Sequence, residues 1–338
     1  MLLAGGVCVW HCADLSGFAA LSWIPTVISS KMLVRAFFVV SGFLIVMSFE
    51  RSSSFTSYLN KRSRRIYPAY LTVVVLSAVL LSMLSSLTAS EYFSSLAWWR
   101  YLLANLSFLN FLQPTLPGVF AANVEPFVNG SLWTIKIEVM FYLTVPVLVY
   151  VIRRFSALPV LAIVYVLSVA YAVVLLSMAK AQGSAGLKEL SHQLPGQLAY
   201  FVAGAFFYYY LPVLERYRNR FLLPAIAVLI ANLFYPLPWL MPFALATVVI
   251  VFALFRYWGN FGRYGDFSYG LYILHFPIVQ ALLTFPYFKT QPYLFLFSAC
   301  GLSLVGAFLS WHCIEKRWLQ RGKTHGANDA PSSRLASA

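Results

Sequence analysis

The sequence predicts an all-α, polytopic integral membrane protein of about ten transmembrane helices with both termini cytoplasmic. Composition is the first reason: 61% of the 338 residues are hydrophobic and only 10% are charged, with a mean hydropathy of +0.76. A soluble domain is about 45–50% apolar and about 25% charged. The second is repetition of apolar runs near 1–20, 33–49, 68–88, 131–152, 157–179, 196–213, 221–235, 238–255, 267–286 and 293–314, against a need for about 20 residues per crossing. The third is the placement of basic residues. With the N-terminus inside, 17 of the 24 Lys and Arg fall in inner loops and six in outer ones, with Lys136 inside a run. That bias sets orientation. The net charge of +14 therefore belongs to loops facing the lipid surface, which makes the bilayer the partner and excludes a nucleic-acid one.

The first run has no basic segment before it and is interrupted by His11, so it does not read as a cleavable signal. All four cysteines lie in apolar runs, and Cys8 and Cys12 around His11 predict helix packing, with no disulfide framework and no metal site. The loop Lys61-Arg62-Ser63-Arg64-Arg65-Ile66-Tyr67-Pro68 is dense in charge. It serves as inner anchoring or as a phosphate site, with Pro68 placed to open the next helix and its amides facing an anion. The stretch 91–130 carries Glu91, Arg100, Asn105, Asn110, Gln113, Asn123 and Glu125 among aromatics, and predicts a long loop on the membrane surface. Tyr235-Pro236-Leu237-Pro238 predicts a tight turn. A transmembrane domain over 1–320 is expected, with 321–338 a disordered cytoplasmic tail.

Ionisable side chains inside membrane helices are costly and mark function by default; four stand out. Glu138 falls on a stripe with Ser131, Thr134 and Tyr142, spaced 3, 4 and 4 on one helix face. Pro146 removes the bond to the Tyr142 carbonyl and frees an acceptor beside that stripe. Glu138 reads as a functional group by default, or else as the partner of Arg35 in an internal salt bridge or as a buried, protonated glutamate. His275 shares a face with Ser268 and Tyr272, and Pro277 predicts a kink near Ile273. His11 has the chemistry of a general base for an entering hydroxyl, with Glu138 as a neighbour that would tune it. An enzyme and a transporter or flippase of a glycan or lipid intermediate both use such groups; the lack of an inverted repeat argues against the second.

Six stretches in this order carry a resemblance. They are Trp10-His11, Val34-Arg-Ala-Phe-Phe-Val-Val-Ser-Gly-Phe-Leu-Ile45, Arg62-Ser-Arg-Arg-Ile-Tyr-Pro68, Ser131-Leu-Trp-Thr-Ile-Lys-Ile-Glu138 running into Phe141-Tyr-Leu-Thr-Val-Pro146, Phe267-Ser-Tyr-Gly-Leu-Tyr-Ile-Leu-His275 and Ile314-Glu-Lys316. Together they resemble the acyltransferase-3 family of membrane O-acyltransferases, in the stand-alone form without a soluble C-terminal domain. The resemblance implies ten helices in the inner (plasma) membrane. It also implies transfer of an acyl group, most commonly acetyl, from acetyl-CoA as co-substrate to a hydroxyl of a cell-surface or exported glycan or glycolipid, with no bound cofactor. It implies His11 as the catalytic histidine, Glu138 and Ser131 as the acidic motif, His275 as the late-helix histidine, and Arg62 and Arg65, with Arg64 between them, as donor-binding residues. Arg35 and Tyr272 are candidates to stabilise the oxyanion. The family usually has an Arg about eleven residues before the first histidine. That position falls just before Met1, so a start a few codons upstream is expected, with a non-catalytic scaffold as the alternative.

Overall fold

The computed structural model describes residues 1–256 and 265–320; the expected tail at 321–338 and Arg263 lie outside them. Each apolar run is a helix: α1 (Leu2–Ser16), α2 (Ser30–Glu50), α3 (Phe55–Leu80), α5 (Leu132–Phe155), α6 (Ala157–Gln182), α7 (Leu194–Tyr209), α8 (Leu211–Phe234), α9 (Met241–Phe255), α10 (Ser268–Leu283) and α11 (Pro292–Ser310), with the more polar α4 (Leu96–Leu106) between α3 and α5. The chain is a polytopic, all-helical membrane protein, but the helices are unequal. Among the described residues five are long and apolar enough to cross alone: α2, α3 with its extension to Leu84, α5, α6, and α11 continued to Gln320. The α7 segment and α8 meet at 111° and together make a sixth candidate. The 15–16 residues of α1, α9 and α10 extend about 23 Å at 1.5 Å per residue, short of the roughly 30 Å hydrocarbon layer.

Helix ends that hold one another define two faces of the bundle. At the basic end, Glu50 closing α2 accepts from Arg153 closing α5 (2.7 Å) and from Tyr209 closing α7 (2.8 Å). At the opposite end, Lys136 near the start of α5 donates to Gln193 just before α7 (2.8 Å).

Two expectations need correction. Pro68 does not open a helix: Ser54 caps α3, its hydroxyl accepting from the Ser57 amide at 3.1 Å, and Pro68 lies inside α3. The arginine cluster is therefore carried on the face of α3 and not at its N-terminus. Nor is 91–130 a surface loop. It is partly helical, with Asn105 and Asn110 buried and Glu91, Arg100 and Glu125 exposed, and several of its side chains satisfy backbone that the apolar helices leave open. Tyr92 and Trp98 both donate to the Ala78 carbonyl at 2.9 Å, and Tyr70 donates to the Asn105 carbonyl at 2.7 Å. Farther along, Gln280 of α10, fully buried, donates to the carbonyls of Glu125 and Phe127 (2.5 and 2.8 Å) and accepts from Asn123 (2.9 Å).

Proline breaks inside the bundle are repaired from other elements. The Tyr142 carbonyl, freed by Pro146, accepts from the Tyr58 hydroxyl at 3.0 Å. The Ile273 carbonyl, freed by Pro277, accepts from Asn129 Nδ2 at 2.8 Å. A freed acceptor in a membrane has no water to turn to, so these two bonds tie α3 to α5 and the segment before α5 to α10.

Crossing of α2 and α7 depends on the absence of two side chains. A Cβ at Gly42 would stand 1.9 Å from the Phe201 carbonyl oxygen, and one at Gly204 would stand 2.0 Å from that of Val39. Small residues let backbones approach this closely where lipid supplies no hydrophobic drive. Gly42→Ala is expected to force the helices apart and to cost at least the 1–3 kcal/mol typical of roughly one methyl's overpacking. Thermal unfolding in detergent should show a lowered midpoint, and an unchanged midpoint would contradict this contact.

Candidate active site

Two cavities open from the two ends and share Val34 and Tyr272 in their walls. The one at the basic end has a volume of about 220 Å³ and includes Arg62, Arg65, Thr134, Glu138, Tyr142 and Tyr269. The one at the opposite end, of about 550 Å³, includes His11, Lys31, Arg35, Asn129, Ser131 and Trp133. The expected stripe on α5 runs down both: Ser131 faces the larger cavity, and Thr134, Glu138 and Tyr142 face the smaller one. Among the described residues five buried side-chain polar atoms have no hydrogen-bond partner, on Arg35, Arg62, Asn110, His192 and Ser303. The first four lie in the cavity walls. Unsatisfied buried polar groups are rare and call for an explanation, and here they concentrate where a ligand would sit.

The two histidines meet. His11 Nδ1 lies 2.9 Å from His275 Nε2, bringing α1 against α10. The hydrogen positions follow from the network. His275 Nδ1 is 3.1 Å from the Leu271 carbonyl, which can only accept, so Nδ1 of His275 carries the proton. In the neutral ring Nε2 is then an acceptor, and His11 must donate to it from Nδ1. His11 Nε2 is left with a free lone pair on a side chain that lines the larger cavity. Ser131 Oγ also approaches His275 Nε2, at 3.3 Å, and its amide is held by Asn129 Oδ1 at 3.1 Å. His275 is fully buried.

Other expected site residues are brought together differently from the sequence reading. Glu138 does not neighbour His11 and does not pair with Arg35: it accepts from Tyr142 at 2.8 Å one turn away and borders the smaller cavity. Arg35 stacks its guanidinium over Tyr200, 4.8 Å from the ring centre. Tyr272 donates to Thr134 Oγ1 at 2.7 Å, since the Thr134 proton is given to the Ser131 carbonyl at 3.0 Å. The tyrosine proton is thus already engaged at the wall between the cavities.

The arginine pair is split. Arg65 is bound by two carboxylates, in contact with Asp266 and 3.4 Å from Glu315. Burial pushes the Asp266 carboxyl up, but Arg65 and the Ser268 hydroxyl and amide outweigh it and hold the group below the usual range. Glu315, only 2% exposed, is brought inward by a π-helical turn at Trp311–Glu315 and also accepts from Ser310 at 2.9 Å. Arg62 has no carboxylate among the described residues and lies 5.8 Å over the Tyr142 ring, with Nε unpartnered. Arg64 lines neither cavity. The thiols of Cys8, Cys12 and Cys300 gather within 4.8 Å of one another, so the α1 cysteines pack against α11.

Sequence reasoning missed Lys31, Asn129, His192, Asp266 and Glu315. Glu315 carried a signal, in the Ile314-Glu-Lys316 stretch; Asn129, Lys31 and His192 lie in or beside loop segments where polar residues are ordinary.

Comparison with known proteins identifies the family. An acyltransferase domain model matches residues 1–312. The O-acetyl transferase of Shigella phage Sf6 is 25% identical over 304 residues, covering 85% of this chain and 84% of that protein. Nodulation protein 10 of Rhizobium leguminosarum bv. viciae is 30% identical over 140 residues, 40% of this chain and 37% of that protein. No solved structure matches. With the family model covering all ten apolar helices and both cavities, the chain belongs to the acyltransferase-3 family.

Proposed function

We propose that the protein is an inner-membrane O-acetyltransferase. It takes acetyl from acetyl-CoA at the basic end, which faces the cytoplasm, and transfers it to a hydroxyl of a glycan or glycolipid in the larger cavity. The observation that carries this reading is the Leu271–His275–His11 chain of hydrogen bonds, which leaves one bare imidazole nitrogen facing that cavity. A similarly named activity belongs to the Sf6 phage relative.

The chemistry follows from the geometry. His11 Nε2 takes the proton of the acceptor hydroxyl as its oxygen attacks the thioester carbonyl; the C–S bond breaks, and the imidazolium gives that proton to the departing thiolate, which leaves as CoA. Donation to His275 keeps His11 in the right tautomer, as a third group does in other base-activated sites. Walls built of Phe111, Phe127 and Trp133 beside Asn110, Asn129 and Gln197 suit a sugar, which offers apolar faces and a rim of hydroxyls. The smaller cavity is below the roughly 300 Å³ of common ligand pockets, so it admits the pantetheine end while the nucleotide phosphates stay at the surface near Arg62. Glu138 and Tyr142 flank that donor passage, and Tyr272 stands where the two substrates meet.

His11→Ala is expected to lower acetyl transfer to glycan by about 10²–10⁴-fold with protein levels unchanged. Labelled acetyl-CoA incubated with membranes reads this, and undiminished transfer would reject His11 as the base. The two arginines should part company. Arg62→Gln is expected to raise KM for acetyl-CoA with little change in kcat. Arg65→Gln would leave Glu315 buried without its cation, a loss of about 3–5 kcal/mol for a broken buried pair. It should therefore lower the yield of folded protein; a well-folded Arg65→Gln with only a raised KM would reverse the two roles.

A further inference from the structure

We infer that the acceptor carries an anionic group, a carboxylate or a phosphate, seated between Lys31 and Arg35 in the opposite-end cavity; this rests on the acceptor being bound there as proposed above. Lys31 and Arg35 stand four residues apart on α2, a spacing that puts them on one face, and both line the cavity. Like charges in that relation repel. Lys188 lies close enough to add to the positive field around Lys31.

Among the described residues no carboxylate forms an ion pair with Lys31 or Arg35. The contact of Arg35 is the Tyr200 ring, and its Nε is buried without a partner. One carboxylate, Glu189, faces the same cavity. Its Oε1 accepts from Gln193 Nε2 at 3.0 Å, and Gln193 Oε1 accepts from Lys136 at 2.8 Å, so it serves the Lys136 side of the mouth. Glu138 lies in the other cavity and is bonded to Tyr142. An arginine kept within a membrane helix without a carboxylate is costly, and an anionic ligand would remove that cost by a charge-assisted, two-pronged contact with the guanidinium.

Two further orphaned atoms in the same wall define the rest of the ligand. Asn110 Oδ1 is an unused acceptor that suits a hydroxyl, and His192 Nε2 is unpartnered close to the basic cluster. An anion, a hydroxyl donor and an apolar face together describe a sugar acid or a sugar phosphate.

The test uses the full-length protein in lipid nanodiscs and three probes: methyl glucoside, methyl glucuronide and glucose 1-phosphate. Binding is measured by calorimetric titration without acetyl-CoA, so no chemistry is required. At least one charged probe is expected to bind ten times more tightly than the neutral one, a difference of about 1.4 kcal/mol. The better charged probe tells carboxylate from phosphate. Arg35→Gln combined with Lys31→Gln should erase the preference while affinity for methyl glucoside stays within a factor of about two, and Arg35→Lys should keep part of it. Equal binding of all three probes, no binding by either charged probe, or a preference that survives the double substitution would overturn the inference. Acetyl transfer with no charge preference would sink this inference alone. A charge preference in a protein that transfers no acetyl group would support it and sink the acetyltransferase reading instead.

Discussion

The hydrogen bond from His11 to His275 is the constraint on which the rest of the site depends. It joins two of the shortest apolar helices, α1 and α10, and neither is long enough to be fixed by spanning the bilayer alone. An imidazole with two rotatable bonds orients usefully only if one of its nitrogens is committed. Here the commitment runs back to a main-chain carbonyl, Leu271, which cannot change role. The bracing continues outward: Asn129 grips the carbonyl freed by Pro277 on α10 and, through its other amide atom, the Ser131 amide at the head of α5. One asparagine thus holds the helix that carries His275 and the helix that carries the polar stripe. A catalytic group must be held within a fraction of an ångström to be effective, and in lipid only hydrogen bonds and close packing can do that.

Local arithmetic made much of this legible in the sequence. Hydropathy located the ten apolar helices, because a chain in lipid must bury every backbone bond within a segment. Spacings of 3 and 4 placed Ser131, Thr134, Glu138 and Tyr142 on one face, and all four line the cavities. The prolines told even more: Pro146 marks a carbonyl in need of a donor and Pro277 a kink near Ile273, and the structure supplies a donor to the freed carbonyl at both. Helix length was less legible. Arg216, Arg218 and Arg220 interrupt the apolar signal of α8, yet its helix begins before them at Leu211, since charged residues at a membrane surface do not break backbone bonding.

Partners were what periodicity could not supply. Glu138 and His11 are both on inward faces, and their chemistry invited a pairing, but depth along the bundle separates them into different cavities. The same limit applies to the arginines. An R-x-x-R spacing puts Arg62 and Arg65 side by side on α3 without revealing that Asp266 and Glu315, more than two hundred residues away, occupy only one of them. The stretch 91–130 misled for a related reason. Its polarity predicts a loop lying on the membrane surface, whereas much of it is helical and several of its side chains bond backbone groups that proline and helix ends leave open.

On the proposed function, a wall between two cavities would let the site join substrates that the membrane keeps apart. A nucleotide thioester bears phosphates that cannot enter the hydrocarbon layer, and a glycan bears hydroxyls that are nearly as unwelcome there. Neither has to cross in full. Only the acetyl end of the donor and one hydroxyl of the acceptor need meet, and the place where both cavities touch Tyr272 is one helical turn from the histidine pair on α10. Keeping the passage this narrow also limits hydrolysis, since an open aqueous channel past His11 would offer the base a water in place of the sugar. The tied Arg65 fits the same logic. With two carboxylates fixing it between α3, α10 and the end of α11, it braces the mouth at the basic end, and Arg62, the unpaired member, would be the one to meet the phosphates of the proposed donor.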